Sequence, residues 1–356
     1  MTASAFSRTL MSKMLACAAC LFSPSLVSAQ DAVDAALKRA ADYLVSVQDQ
    51  KTGAIQSEKR NETAMTSLAV LALASLGHQP ADVSREGECL RKALAFVLRP
   101  EGQTPEGYFG REDGSRMYGH GITTLMLAEM LGMGGDARQD SLIRERCQRA
   151  IELIIRAQKV PKSERDHGGW RYSPDQAESD LSVTVWQVMA LRSAKNAGLE
   201  VPREPIEHAV GYIKRLYKPE KGERGSGGPG GFGYQGPSLE TSTTTEGLLA
   251  LQVCGEYASE EVQGAAAKLM RDGIRKGDKW LYYTTYYYAQ GMYQHSEQAA
   301  AAAERLVADL LLGQQSREGW WEGVGGEERQ GGKVYATAMA VLSLAVKNHF
   351  LPIYQR

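Results

Sequence analysis

The stretch Ala64-Met65-Thr66-Ser67-Leu68-Ala69-Val70-Leu71-Ala72-Leu73 is apolar or small on every side of a helix. That pattern marks a helix buried all round rather than one lying on a surface. Thr66, Val70 and Leu73 fall at offsets 0, 4 and 7, which share one face at 3.6 residues per turn. The register returns at Thr123/Leu127/Met130, Thr184/Val188/Leu191, Thr244/Leu248/Leu251, Thr285/Ala289/Met292 and Thr337/Val341/Leu344. Successive threonines lie 57, 61, 60, 41 and 52 residues apart, a repeat architecture.

A more amphipathic helix precedes each buried one. In the first, Val33, Leu37, Ala40, Leu44 and Val47 share a face while Asp34, Lys38, Asp42 and Ser46 lie elsewhere. Similar pieces run over 86–98, 140–158, 204–217, 259–275 and 297–313, and Gly77, Gly132, Gly198 and Gly255 read as C-caps of four buried helices. One polar and one buried helix per repeat cannot bury themselves alone, so the hairpins pack side by side. The pattern predicts an all-α fold, an (α/α)6 toroid of six hairpins with apolar helices inside. An open helical solenoid is the alternative. The linking loops are Gly-rich and aromatic, as in Gly53-Ala54-Ile55, Gly107-Tyr108-Phe109, Gly168-Gly169-Trp170, Gly231-Phe232-Gly233-Tyr234 and Gly319-Trp320-Trp321. The glycines of 222–236 lack the GK[ST] ending of a phosphate loop.

The 356 residues are 43% hydrophobic, too apolar for disorder. With 41 basic and 42 acidic residues the net charge is −1, which argues against a nucleic-acid binder. Arg8 and Lys13 precede the apolar run Met14 to Phe22, then Pro24 and Val27-Ser28-Ala29. This is the layout of a secretory signal peptide over 1–29, which predicts export to periplasm or medium and a single toroid domain over 30–356. The apolar run is too short to span a bilayer, and no other transmembrane segment is expected. Cys89, Cys147 and Cys254 are too widely spaced for a zinc knuckle or a disulfide framework, so small buried hydrophobes are expected, with one bridge left open. No metal or cofactor is called for.

The loop residues resemble the repeats of squalene–hopene cyclases and protein prenyltransferase β subunits, the terpenoid-cyclase/prenyltransferase toroids. Their repeat has a basic residue, Gly or Ala, an aromatic, an aliphatic, then Gln and Gly-x-Trp. Arg39-Ala40, Tyr43-Leu44, Gln48 and Gly53 fit, as do Arg149-Ala150, Leu153-Ile154, Gln158 and Gly168-Gly169-Trp170, and Gln315 with Gly319-Trp320-Trp321. The second repeat has Glu101 for Gln and Phe109 for Trp, and the fourth has Tyr217 for Gln. The resemblance implies the toroid and an isoprenoid-handling activity. The strings that carry that chemistry, Asp-x-Asp-Asp, Asp-x-Cys with a later His, and DDxxD, are absent.

Four residues before each repeat threonine stand Glu62, Gly119, Asp180, Glu240, Leu281 and Lys333, which would ring one mouth of a toroid. Acids there also cap helices and complement their dipoles. Asp180 and His120, on neighbouring helices, are the candidate proton-transfer pair. Glu62, Glu240 and Lys333 are candidate ligand contacts, together with Trp186, Tyr282, Tyr283, Tyr286 and Tyr287, whose rings could hold an apolar ligand, a cation or a sugar. The favoured function is an exported module binding an apolar or aromatic-stacking ligand or a protein partner. An isoprenoid cyclase or transferase is the alternative, and a glycan hydrolase or lyase on an (α/α)6 barrel the second.

Overall fold

The computed structural model describes residues 29–56, 60–220, 228–323, 325–348 and 350–355. All but the last residue of the expected signal peptide lies outside these. The outer helices are α1 (Ala29–Ser46), α3 (Arg85–Val97), α5 (Ala137–Gln158), α7 (Arg203–Arg215), α9 (Glu260–Asp272) and α11 (Glu297–Leu311). They alternate with inner helices α2 (Glu62–Ser75), α4 (Arg116–Glu129), α6 (Leu181–Asn196), α8 (Thr241–Val253), α10 (Leu281–His295) and α13 (Gly332–Leu344). A short α12 (Gly326–Gln330) and a hairpin of β1 (Tyr217–Pro219) with β2 (Gly230–Phe232) decorate the loops. The predicted helix stops hold: Gly77, Gly132, Gly198 and Gly255 take φ of 88°, 79°, 79° and 91°.

Each inner helix packs on the next, and α13 packs on both α2 and α1, so the hairpins close into an all-α toroid rather than an open solenoid. The inner helices are buried almost end to end, as their composition requires. Two side chains repeat the link between hairpins. The amides of Gln48, Gln103, Gln158 and Gln315 each donate to the following loop glycine's carbonyl, of Gly53, Gly107, Gly168 and Gly319. Each amide also reaches the next outer helix, at Cys89, Arg146, Pro205 and, across the seam, Ala36. In the second repeat this role falls to Gln103, not to Glu101. The repeat threonines Thr66, Thr184, Thr244 and Thr337 accept the backbone N–H of Ile55, Trp170, Phe232 and Trp321 at 3.0–3.1 Å. In the fourth repeat Tyr217 pairs with Phe232 across the β hairpin and replaces the Gln link.

The seam between last and first repeats is the most informative place to disturb. Gly319 has φ 98°, and a Cβ there would collide with the Arg39 carbonyl oxygen. Gly319→Ala should destabilise the protein by more than about 1 kcal/mol, because both backbone strain and the collision oppose it. Urea unfolding of both proteins measures this, and an unchanged midpoint would refute the packing described.

The chain's end closes the toroid at the inner helices' C-terminal side. Leu351, Ile353 and Tyr354 are buried. The Ile353 N–H donates to Glu129 at the end of α4, and the Tyr354 hydroxyl meets that of Tyr286 on α10. No helix among the described residues is long and apolar enough to cross a membrane. Cys89, Cys147 and Cys254 are free thiols, each pushed up to about 12 by burial.

Candidate functional site

A cavity of about 730 Å³ opens among the N-terminal ends of the inner helices. All six contribute, through Ala64, Tyr118, Ser182, Glu246, Tyr283 and Tyr335 among others. The deepest lining positions are the sixth to eighth residues of their helices: Ile122 on α4, Trp186 on α6, Glu246 on α8 and Met339 on α13. Tyr118, Tyr172, Tyr234, Tyr283, Tyr335, Trp186 and Trp280 make the wall strongly aromatic. Arg60, Glu240 and Lys279 stand exposed at the rim.

Glu246 follows three buried threonines on α8 and is itself 1% exposed. Burial pushes its carboxyl well above the usual range; Ser182 opposes that shift, while Asp180 and Glu240 add to it. Its Oε2 has no hydrogen-bond partner among the described residues, while the indole N–H of Trp186 and the hydroxyl of Tyr283 approach one another on the same wall. Buried polar atoms are normally paired. An unpaired carboxyl oxygen on the cavity wall therefore marks where a polar ligand would be held.

The rim is backbone-strained. Asn61, Arg116 and Trp280, at the starts of α2, α4 and α10, have φ of 54°, 58° and 59°. A bulky residue in this region is disfavoured, and such residues gather at functional sites. With Asn61 and Trp280 so placed, neither caps its own helix. Carboxylates from the neighbouring repeat do so instead. Asp113 accepts from the N–H groups of Thr63 and Ala64, both at 3.1 Å, and Glu328 from those of Tyr282 and Tyr283 at 2.8 and 3.3 Å.

The residues singled out from sequence fall into two groups. Trp186, Tyr283 and Glu240 line the cavity. Asp180 is buried one layer behind it and caps α6, its Oδ1 accepting the Val183 N–H at 2.9 Å. Burial raises Asp180 to about 6, against the pull of that N–H, the Arg171 guanidinium and the Tyr234 hydroxyl. Tyr234 in turn shares a 2.5 Å hydrogen bond with Tyr172, and both rings face the cavity. Tyr282, Tyr286 and Tyr287 pack into the core beside and beneath it. Glu62 is absent from the cavity wall, and Lys333 turns outward, its ammonium 3.8 Å from the Trp320 ring centre.

His120 is not brought to Asp180's side of the cavity. It takes over the threonine's role in the second repeat, accepting the Phe109 N–H at Nδ1 while Nε2 lies 3.2 Å from the Ala150 carbonyl oxygen. Burial depresses it from 6.5 to about 4. Its folded value is below its unfolded one, so its stabilisation is present above pH 6.5 and lost as pH falls through about 4. The stability advantage of wild type over His120→Gln should therefore shrink by about 3 kcal/mol between pH 7 and pH 4. Urea titrations at both pH values check this, and a constant difference would show that the ring protonates freely.

Glu246, Tyr118, Tyr172, Tyr234, Trp280, Glu328 and Tyr335 escaped sequence reading. A signal existed for several of them. Two residues before each repeat threonine stand Ala64, Gly121, Ser182, Ser242, Tyr283 and Tyr335, and five of these line the cavity. Two residues after come Trp186, Glu246 and Met339 in the third, fourth and sixth repeats. A lone glutamate inside the buried run Thr243-Thr244-Thr245-Glu246-Gly247-Leu248 is also conspicuous by its desolvation cost. Among the described residues, no group of three or more His, Cys, Asp or Glu side chains is placed to hold a metal ion.

No protein-family model matches the chain, and no curated protein does. Solved structures do. The α-1,6-mannanase of Salegentibacter sp. HEL1_6, an inactive variant in complex with α-1,6-mannotriose, matches 89% of this chain and 99% of its own at 9% identity and TM-score 0.58. Cellobiose 2-epimerase from Bacillus thermoamylovorans matches 88% of this chain and 99% of its own at 12% identity and TM-score 0.61. A D-mannose isomerase matches 91% and 99% at 12% identity and TM-score 0.58. At such identities the likeness is one of fold. It nevertheless corrects the resemblance to terpenoid cyclases and prenyltransferase β subunits: the toroids this chain is similar to are described as sugar-processing enzymes. The Gln and Gly-x-Trp pattern behind that resemblance is accounted for by the links between hairpins, which any chemistry could share.

Proposed function

We propose that the chain is a glycan-active enzyme that hydrolyses a glycosidic bond in the central cavity, with Glu246 as proton donor. The observation that carries this reading is the buried Glu246 carboxyl, pushed well above the usual carboxylate range by burial and with its Oε2 unpaired on the wall of an aromatic-lined cavity. A carboxyl whose environment keeps it protonated near neutral pH is what leaving-group protonation needs. Rings such as Trp186 and Tyr283 suit the faces of a sugar, while the unpaired Oε2 of Glu246 suits its hydroxyls. A module that only binds would use the same unpaired Oε2 to hold its ligand, so release of products decides between the two readings.

The second carboxylate we assign is Glu240, on the same wall and exposed at the rim. It precedes Glu246 by six residues and adds to the upward shift of the Glu246 carboxyl, so the two groups sense one another. Acting as acid and base with a water between them, they would invert the anomeric centre. Export, which the leader at 1–29 proposes, would bring the enzyme to extracellular glycans. The test is release of new reducing ends from a set of linear oligosaccharides. Wild type should release them with inversion at the anomeric carbon, and Glu240→Gln should lose at least about a hundredfold in rate. Retention of configuration would remove Glu240 from the base's role, and no release from any glycan would refute hydrolysis.

A further inference from the structure

The three boundaries of the cavity are unequal. Its sides are complete, because all six inner helices line it and the ring is closed. Its floor is filled. Trp186 stacks on Tyr286 with ring centres 5.9 Å apart and planes 6° from parallel, and Tyr287 meets both edge-on. Below Tyr286 lies Tyr354 from the chain's C-terminal turn, hydroxyl to hydroxyl, and the adjoining Ile353 N–H is tied to Glu129. The C-terminal segment thus occupies the axis of the ring. Access among the described residues lies at the helices' N-terminal ends, past Arg60, Gly114, Glu240 and Lys279. Glu246 is the sixth residue of α8, so it stands about 9 Å below that rim.

We infer that the cavity is a blind pocket taking the end of a glycan chain, so that the enzyme is exo-acting and the bond at Glu246 is one near a chain terminus. This rests on the glycan reading above. A chain laid across the rim would be kept from the Glu246 carboxyl, which is 1% exposed and enclosed by the six inner helices, whereas proton transfer needs heavy atoms about 2.6–3.2 Å apart. A chain threaded along the axis would meet Trp186, Tyr286 and Tyr354. Only a terminus can descend to Glu246. The volume of about 730 Å³ is that of a site for a small ligand rather than for a polymer groove.

The test uses the full chain and short linear oligosaccharides in three forms: both ends free, an aromatic tag on the reducing end, and a cyclic ketal on the non-reducing sugar. Their binding is read by quenching of tryptophan fluorescence, and digestion of the parent polysaccharide is followed by product size. Blocking one end should weaken binding at least about a hundredfold, a change of about 2.7 kcal/mol, while blocking the other changes little. The polysaccharide should yield one small product from the first time point. Equal tolerance of both blocks, or early fragments of mixed length, would overturn the blind pocket and leave the glycan reading standing. Failure of every oligosaccharide to bind would overturn both.

Discussion

Deleting residues 350–356 should leave a protein that is no longer cooperatively folded. Leu351, Ile353 and Tyr354 are 4%, 5% and 6% exposed, and burial of such side chains stabilises by roughly 1.5–3 kcal/mol each. Their loss would also strip the Ile353 N–H from the buried Glu129, whose carboxyl burial already holds at about 7. An orphaned acceptor there adds about 1–3 kcal/mol. The sum is comparable with the whole stability of a typical domain, about 5–15 kcal/mol. Urea unfolding and binding of a hydrophobic dye would show a broad, early transition with exposed apolar surface. By contrast Tyr354→Phe, which loses only the hydroxyl pair with Tyr286, should cost about 1 kcal/mol. A truncated protein melting within a few degrees of wild type would mean that the tail does not plug the ring.

Glu246→Gln should abolish turnover and stabilise the fold together. Gln cannot give a proton to a leaving group, and general acid catalysis is worth about 10²–10⁴ in rate. Oligosaccharide affinity should change little, since an amide retains the hydrogen-bonding shape. The stability effect has a definite sign. Burial raises the carboxyl's folded value above its unfolded one, so its favourable share is full at low pH and lost as pH rises towards the folded value. The variant should match wild type near pH 4 and gain on it steadily as pH rises above the ordinary carboxylate range. Thermal melts over that rise in pH, beside initial rates, separate the two effects. A variant that keeps its activity, or is destabilised at every pH, would take Glu246 out of the site.

The fold was legible because its determinants are periodic. Thr66 and its five counterparts mark inner helices, the amphipathic stretches mark outer ones, and Gly77 or Gly198 end helices where their φ demands it. The hairpin links were only half legible. Gln48, Gln158 and Gln315 stood out, but Gln103 hid behind Glu101 because the 3-10 turn at Pro100–Gly102 shifts the loop. The site was read less well. Residues at helix starts were favoured, and that register finds caps such as Asp180 rather than cavity walls, which lie two residues to either side of the threonine. Tyr172 and Tyr234 come from loops, and Glu328 from α12, whose approach to α10 depends on how neighbouring repeats pack and has no local signature. His120 illustrates the opposite case. Its chemistry suggested catalysis, yet Nδ1 serves the loop linkage that a threonine provides elsewhere and Nε2 is paired with the Ala150 carbonyl of α5.

The central claim is that a sugar reaches Glu246 inside the ring. Crystals of the Glu246→Gln protein, soaked with the oligosaccharide that binds most tightly, test it most directly. A terminal sugar should appear in the cavity beside Trp186 and Tyr283, with a glycosidic oxygen within about 3 Å of the side chain at position 246. A sugar bound across the rim or on the outer helices, with the cavity holding none, would contradict it.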